Sequence, residues 1–226
     1  MRIVLKLTGK VFEQGNEQVL LKIIEILREK ALADRVVVIT GGGKTARKYV
    51  ELGKGLGVSN AWLDLLGIEA SRLNALLLAT TLGESAYTPI PRSVDEVLQG
   101  LSTGKVVVLG GLQPGQSTNA VSAMIAELVK ADLLINATNV DGVYDRDPSK
   151  YPDAKPLKEV SIRQLAEMLR SQDFRPGHYE LLDAVALRII ARSKIRLVFV
   201  NAFKPETIRM AWELRKEAGT WVKHYS

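Results

Sequence analysis

The sequence has no cysteine and only two histidines, His178 and His224. The first absence excludes disulfides, thiolate nucleophiles and cysteine metal sites. The second speaks against a histidine-built metal centre or a Ser-His-Asp triad within one chain. Long hydrophobic runs are missing too. Apolar stretches such as Val36–Ile39 and Leu76–Ala79 fall far short of the roughly 20 residues of a membrane-crossing helix. The start, Met1-Arg2-Ile3-Val4-Leu5, shows no small-residue cleavage site behind an apolar segment, so a cytoplasmic protein with no membrane partner is expected.

A formal net charge of +6 raises the question of an anionic partner. Residues 161–226 hold 12 Lys and Arg against 7 Asp and Glu, but these are scattered, as in Arg188, Arg192, Lys194 and Arg196. Without a block of five or six like charges, a solvated basic surface with a phosphate pocket fits better than nucleic-acid binding.

What is there is an alternation of β-branched runs and amphipathic stretches. Strands are expected at 2–7, 35–40, 105–109, 133–138 and 196–200. Helices are expected at 17–33, 44–56, 61–82 (interrupted or eased at Gly67), 120–129, 161–170, 181–192 and 205–217. Continuous apolar strands between helices indicate an α/β chain, a mainly parallel sheet covered on both faces. The Asp- and Pro-rich stretch 145–156 reads as a surface loop or a lobe boundary.

In such sheets ligands gather at the carboxyl ends of strands, and three strands here run into glycines. The first leads to Lys6-Leu7-Thr8-Gly9-Lys10, the second to Gly41-Gly42-Gly43-Lys44-Thr45-Ala46-Arg47. A later strand leads to Gly110-Gly111-Leu112-Gln113-Pro114-Gly115-Gln116-Ser117-Thr118. Without a Cβ, backbone N–H groups can converge on phosphate oxygens, and a helix that starts there adds its positive end. A single such loop could be only a tight turn; three, two of them with cations, point to phosphate. The usual nucleotide fingerprints fail: a Walker A loop would need glycine where Val38 stands, and no Gly-x-Gly-x-x-Gly follows the first strand.

Together the motifs resemble the amino acid kinase family, and within it the uridylate kinases of the archaeal type. The resemblance runs end to end. It is carried by Lys6-x-x-Gly9-Lys10, Gly41-Gly42-Gly43-x-x-x-Arg47, Asp64-Leu65-Leu66-Gly67-Ile68 and Gly110-Gly111-x-x-Pro114-Gly115-x-x-Thr118. It continues through Thr138-Asn139-Val140-Asp141-Gly142-Val143-Tyr144 to Asp147-Pro148, then Glu180-Leu181-Leu182-Asp183 and Arg192-Ser193-Lys194-Ile195. The resemblance implies one domain over residues 1–226, a three-layer α/β/α sandwich on a mainly parallel sheet of eight strands. It implies ATP and UMP side by side over the strand ends, Mg²⁺ arriving with ATP, and a homo-oligomer, in this type a hexamer.

By the same resemblance Lys6, Gly9, Lys10, Gly43, Arg47, Thr138, Tyr144 and Asp147 fall on the ATP side. Gly42, Asp64 and the segment Leu112, Gln113, Pro114, Gly115, Gln116, Ser117 and Thr118 fall on the UMP side, and Lys6 and Asp183 lie near the transferring phosphoryl. The N-terminal part is thus mainly UMP-binding and the C-terminal part mainly ATP-binding. No dedicated protein metal site is expected.

The chemistry suits these residue types. Phosphoryl transfer is mostly positioning and charge neutralisation, and a phosphate acceptor, with a second pKa near 6, needs no general base. Lys6 interrupts an apolar strand and calls for an anionic partner; the competing reading is an edge lysine that snorkels to water. Asp64 suits a ribose hydroxyl, or only a helix start. Asp183 could be only a cap, and Tyr144 could stack on adenine or simply pack. Asn119 stands where many members of the family carry Asp after the paired hydroxyls, so that position brings no negative charge. The competing functions are an isopentenyl phosphate kinase and a non-catalytic oxyanion-storage relative.

Overall fold

The computed structural model describes residues 1–170 and 181–224; His178 and Glu180 lie outside them. The strands are β1 (Arg2–Leu7), β2 (Arg35–Thr40), β3 (Val107–Leu109), β4 (Leu133–Thr138), β5 (Glu159–Ser161), β6 (Leu197–Asn201) and β7 (Thr220–Lys223). The helices are α1 (Glu17–Lys30), α2 (Gly43–Gly55), α3 (Asn60–Leu82), α4 (Val94–Ser102), α5 (Thr118–Leu128), α6 (Ile162–Arg170), α7 (Ala184–Ser193) and α8 (Pro205–Trp212).

The strands form one sheet in the order β3-β2-β1-β4-β6-β7-β5. The first five in that order run parallel, and β7 pairs antiparallel with β6. From β1 the chain builds outward through β2 and β3, then returns to lay β4 on the other side of β1. β1 and β4 therefore flank the point where the order reverses, the place where open α/β sheets leave a crevice beyond their carboxyl ends.

Alternation along each strand feeds two cores. Ile3, Leu5 and Leu7 of β1 face α1, α3 and α8, with Ile23, Leu27, Leu78 and Trp212 buried there. Val4 faces the opposite layer of α4, α5, α6 and α7, together with Leu134, Val121, Ala126 and Ile190. Lys6 shares the parity of Val4, so it leaves the sheet on the α5–α7 face at the carboxyl end.

The sandwich expected from the sequence is present, with differences in detail. α3 runs unbroken through Gly67, because one interior glycine costs only about 1 kcal/mol against a run of good helix formers. α4 was not anticipated, although Ser93-x-x-Glu96 carries the capping-box pattern: Ser93 Oγ accepts from Glu96 N, while Glu96 accepts from Arg92 N, one residue ahead of the cap. β5 and β7 also escaped notice, being only 3 and 4 residues long. The described residues form seven strands, against the eight expected. The last helix stops at Trp212, with Leu214 at φ 59°.

α3 is long and apolar enough to cross a membrane by length and composition, which the search for uninterrupted apolar runs had missed. Its inner face, including Leu63, Ile68, Ala75 and Leu78, is buried in this fold, and it carries Asp64, Glu69 and Arg72.

The far ends of α5 and α7 are tied by Glu127, which accepts from Arg192 Nε at 3.0 Å and from Ser193 Oγ. The Arg192 guanidinium, then Ser193, holds the Glu127 carboxyl below its ordinary value. A carboxyl lowered by folding contributes stability above its unfolded pKa, about 4.3, and loses it as pH falls through the folded value. Glu127→Gln is expected to lower Tm slightly near neutral pH, with the deficit shrinking below about pH 4; thermal unfolding across that range reads both.

Candidate functional site

Backbone meets backbone at the ends of β1 and β2. A Cβ on Gly9 would lie 2.1 Å from Gly43 N and 2.6 Å from Gly41 O, and Gly43 itself sits at φ +62°. Thr8 N donates to Ala137 O (2.9 Å) and Gly41 N to Leu7 O (2.9 Å), so the first two loops continue the sheet before they turn. Asn74 Nδ2 of α3 donates to Gly41 O at 2.7 Å. Beyond this junction stand the cations. Lys44 pairs with Glu13 at 3.0 Å, and Arg47 lies 3.9 Å from the same carboxylate. Lys10 is half-buried in the first loop.

The third loop lies along α3. A Cβ on Gly110 would meet Ser71 Oγ at 2.5 Å, and one on Gly111 would meet Ile68 Cγ1 at 2.8 Å. Gly111 N donates to Ser71 Oγ (2.8 Å) and Gly115 N to Asp64 Oδ2 (2.9 Å). Between loop and helix is a cavity of about 420 Å³ whose walls include Asp64, Gly67, Ser71, Gly111, Gln116 and Thr118. Arg72, paired with Glu69 at 2.6 Å, donates to Leu112 O at 3.3 Å and steadies the loop from outside.

Two helix N-termini converge beside it. Ser117 caps α5, its Oγ accepting from Asn119 N (3.1 Å) and Ala120 N (3.0 Å), and the same hydroxyl donates to Asp183. Asp183 caps α7 by accepting from Val185 N (2.9 Å) and Ala186 N (3.0 Å). Underneath, in register with Lys6 on β1, Asn136 donates to Asn119 Oδ1 (3.3 Å) and Leu181 O (3.0 Å).

The remaining expected residues lie past β4. Thr138 Oγ1 donates to Val140 O and accepts from Val140 N, fixing the turn that leads to Tyr144. Burial pushes the Asp141 carboxyl up, but Lys204 (2.7 Å) and Asn201 (2.8 Å) outweigh it and hold the group below its ordinary value. Tyr144 bridges to Pro156, and the fully buried Asp147 accepts from Ser149 N and Oγ.

Glycine loops and two capped helix N-termini thus gather at the strand ends about the β1–β4 reversal. The sequence model of the amino acid kinase family matches residues 1–201. The chain belongs to the amino acid kinase family. It is 46% identical over 206 residues to a uridylate kinase of Metallosphaera sedula, covering 90% of this chain and 91% of that one. It is 44% identical over 223 residues to a uridylate kinase of Methanothermobacter thermautotrophicus, covering 98% and 99%. Among solved structures it is similar to the uridylate kinase from Archaeoglobus fulgidus, with TM-score 0.88, 36% identity, and coverage of 99% of this chain and 100% of that one.

Within this amino acid kinase fold the expected residues fall into three groups. Lys6, Ser117 and Asp183 belong to the β1–β4 crevice; Asp64 and Gly115–Thr118 line the cavity on α3; Thr138, Tyr144 and Asp147 lie along the chain leaving β4. Arg47, expected with ATP, sits on α2, which packs on α3 and so shares its layer with Asp64. Sequence reasoning missed Ser71, Asn74 and Asn136. A signal for the first two existed: Asp64, Gly67, Ser71 and Asn74 recur at helical spacing along one stripe of an otherwise apolar helix.

Gly9→Ala is expected to force the first two loops apart, abolishing turnover and lowering Tm, because the obstructing atoms are backbone. Gly55→Ala, whose Cβ would meet nothing within 4 Å, is expected to leave both unchanged. Steady-state kinetics and thermal unfolding of the two variants test the pair.

Proposed function

We infer that this chain is a UMP kinase, transferring the γ-phosphoryl of ATP to the phosphate of UMP and releasing UDP and ADP. The observation that carries the reading is the β1–β4 crevice: three glycine loops and two capped helix N-termini converge on it, with Lys6 rising from its floor. The uridylate kinase relatives, which match almost end to end, supply the acceptor. One UMP phosphate oxygen attacks the γ-phosphorus while the bond to the β–γ bridging oxygen breaks, and ADP leaves with that oxygen. An acceptor already ionised passes no proton to the protein.

In this reading the first two loops hold the ATP phosphates through backbone N–H groups, with Lys10, Gly43 and Arg47. Tyr144, Thr138 and Asp147 serve the rest of ATP. The α3 cavity takes UMP, with Asp64 toward the ribose and Gly42 and Leu112–Thr118 around the phosphate and base. Lys6 neutralises charge that builds on the transferring phosphoryl.

Mg²⁺ would come with the ATP phosphates, and such a metal needs only one or two protein carboxylates. Among the described residues no group of three acids or histidines could hold a metal by itself. In this reading Asp183, between the two helix ends, would be the carboxylate to meet it, and bound Mg²⁺ would offset phosphate charge.

A cytoplasmic homo-oligomer in pyrimidine nucleotide synthesis, a hexamer by the resemblance, completes the reading. Trp62, Leu66, Leu73, Leu76 and Leu77 are exposed along one face of α3, interrupted by Glu69, apolar surface of the kind that marks a subunit contact.

ADP release with UMP, CMP, dUMP, AMP, isopentenyl phosphate and carbamate tests the acceptor. UMP is expected to be turned over fastest; turnover with isopentenyl phosphate but not UMP would overturn the reading, and activity with none would favour oxyanion storage. Lys6→Ala is expected to cut kcat by about 100-fold or more while UMP affinity, measured by titration, changes little. An unchanged kcat would remove Lys6 from the chemistry.

A further inference from the structure

The positive charge of the chain is not used up by the crevice. Lys6, Lys10, Lys44 and Arg47 all come from its beginning, whereas the excess of Lys and Arg over Asp and Glu lies in residues 161–226. Most of those later cations have partners: Arg163 with Glu167, Arg192 with Glu127, Lys204 with Asp141, Arg209 with Glu29 and Lys223 with Glu159. Arg196 and Lys216 make no ion pair among the described residues, and neither does Lys158. These three unpaired cations line one cavity, of about 510 Å³.

The cavity lies at the last strands of the sheet. Trp221 of β7 pairs with Val198 of β6 and with Glu159 of β5, so its indole leaves the sheet on the α8 side and packs against the core there. The order β6-β7-β5 ends the sheet at the edge opposite to β3, against which α3 packs. Arg196 stands at the amino end of β6, away from the carboxyl-end crevice.

The walls are of two kinds. Trp221 Nε1 donates to Arg215 O at 3.3 Å. That bond orients the ring and commits its one polar atom, so the indole presents carbon to the cavity. The exposed Leu214 adds a second apolar wall. Among the described residues Glu159 is the one carboxylate in the lining, and Lys223 pairs with it. Two ammonium groups and a guanidinium are left without an anion.

Such a cavity suits a ligand of two halves: a flat ring for the indole and several negative charges for the cations. A neutral ring would leave the charges unanswered, and a bare anion would leave the indole in water. At about 510 Å³ the space exceeds the 420 Å³ of the cavity read as taking UMP, so a nucleotide fits. Aromatic side chains stack on any base, and Lys and Arg bind phosphate oxygens through charge-assisted hydrogen bonds.

We propose that this cavity is a second, non-catalytic nucleotide site, which takes a nucleoside triphosphate with its base against Trp221 and its phosphates on Lys158, Arg196 and Lys216. The site is separate from the crevice and does not depend on which acceptor the crevice serves.

Fluorotryptophan incorporated at Trp62, Trp212 and Trp221 of the full chain gives a local readout, with Trp221→Phe identifying the resonance of that residue. ATP is expected to shift the Trp221 fluorine resonance saturably, with a Kd of about 1 mM or tighter. Adenosine and tripolyphosphate, each offering one half of the ligand, are expected to bind at least about 10-fold more weakly. Arg196→Glu combined with Lys216→Glu, both at exposed positions, is expected to weaken the ATP response by about 10-fold or more while turnover and Tm stay unchanged.

No shift with ATP would overturn the proposal, and so would a shift that survives the double charge reversal, since it would come from ATP in the crevice. Tripolyphosphate binding as tightly as ATP would reduce the site to a plain anion surface and overturn it as well. If the double variant lowers Tm, Lys216→Gln alone decides: ATP affinity weakened by about threefold supports the site, and unchanged affinity sinks it. Failure of UMP turnover in the unaltered protein would leave this fluorine readout intact, so the two readings fail separately.

Discussion

Where two loops approach each other so that the direction of a Cβ is filled by the other main chain, neither can present a side chain there. That constraint, met at Gly9 against Gly41 and Gly43, underlies the rest of the site. It lets the ends of β1 and β2 share one surface, starts α2 at the right place, and leaves backbone N–H groups at the mouth of the crevice. The cations follow from it: Lys10, Lys44 and Arg47 are carried to one rim by loops whose backbones are already in contact. α3 extends the principle with Ser71 and Asn74, whose polar atoms take the bonds that the glycine loops cannot make among themselves.

The electrostatic design is layered on this contact. Lys44 and Arg47 at the rim are exposed and share Glu13, whereas beneath them Lys6 and Asp183 stand among neutral groups: a threonine at the end of β4, two asparagines, a serine cap. Neutral dipoles held by fixed hydrogen bonds need little rearrangement when phosphate charge moves above them. The scarcity of histidine fits the same arrangement, since nothing in it has to take up a proton.

Much of the architecture was legible in the sequence because burial on both faces writes itself as uninterrupted apolar strands. β1, β2 and β4 are of this kind, and the glycines after β1, β2 and β3 marked the candidate site. β5 and β7 were not legible, since three- and four-residue strands at a sheet edge carry no periodic signal. α4 was missed for another reason: its capping-box pattern was present but went unread. Gly67 misled in the opposite direction, being read as interrupting or easing a helix that runs straight through it. At the site, Lys6 stood out because charge inside an apolar strand is conspicuous. Asn136 did not, because one amide near the end of a strand resembles a turn residue until the register sets it beside Lys6. Which nucleotide lies on which side came from the resemblance; the residues by themselves spoke of phosphate.

The contact between Ser117 and Asp183 has an electrostatic meaning beyond capping. α5 and α7 point their N-termini at the same spot, and two like poles brought together repel. The Asp183 carboxylate, bonded to the amides of one helix and the capping hydroxyl of the other, acts as the counter-ion that lets both poles stay there. The protein thus carries a resident anion at the spot where, in the proposed reading, the substrates bring theirs. The field left for a phosphate in that reading is what remains after the carboxylate has been subtracted from it.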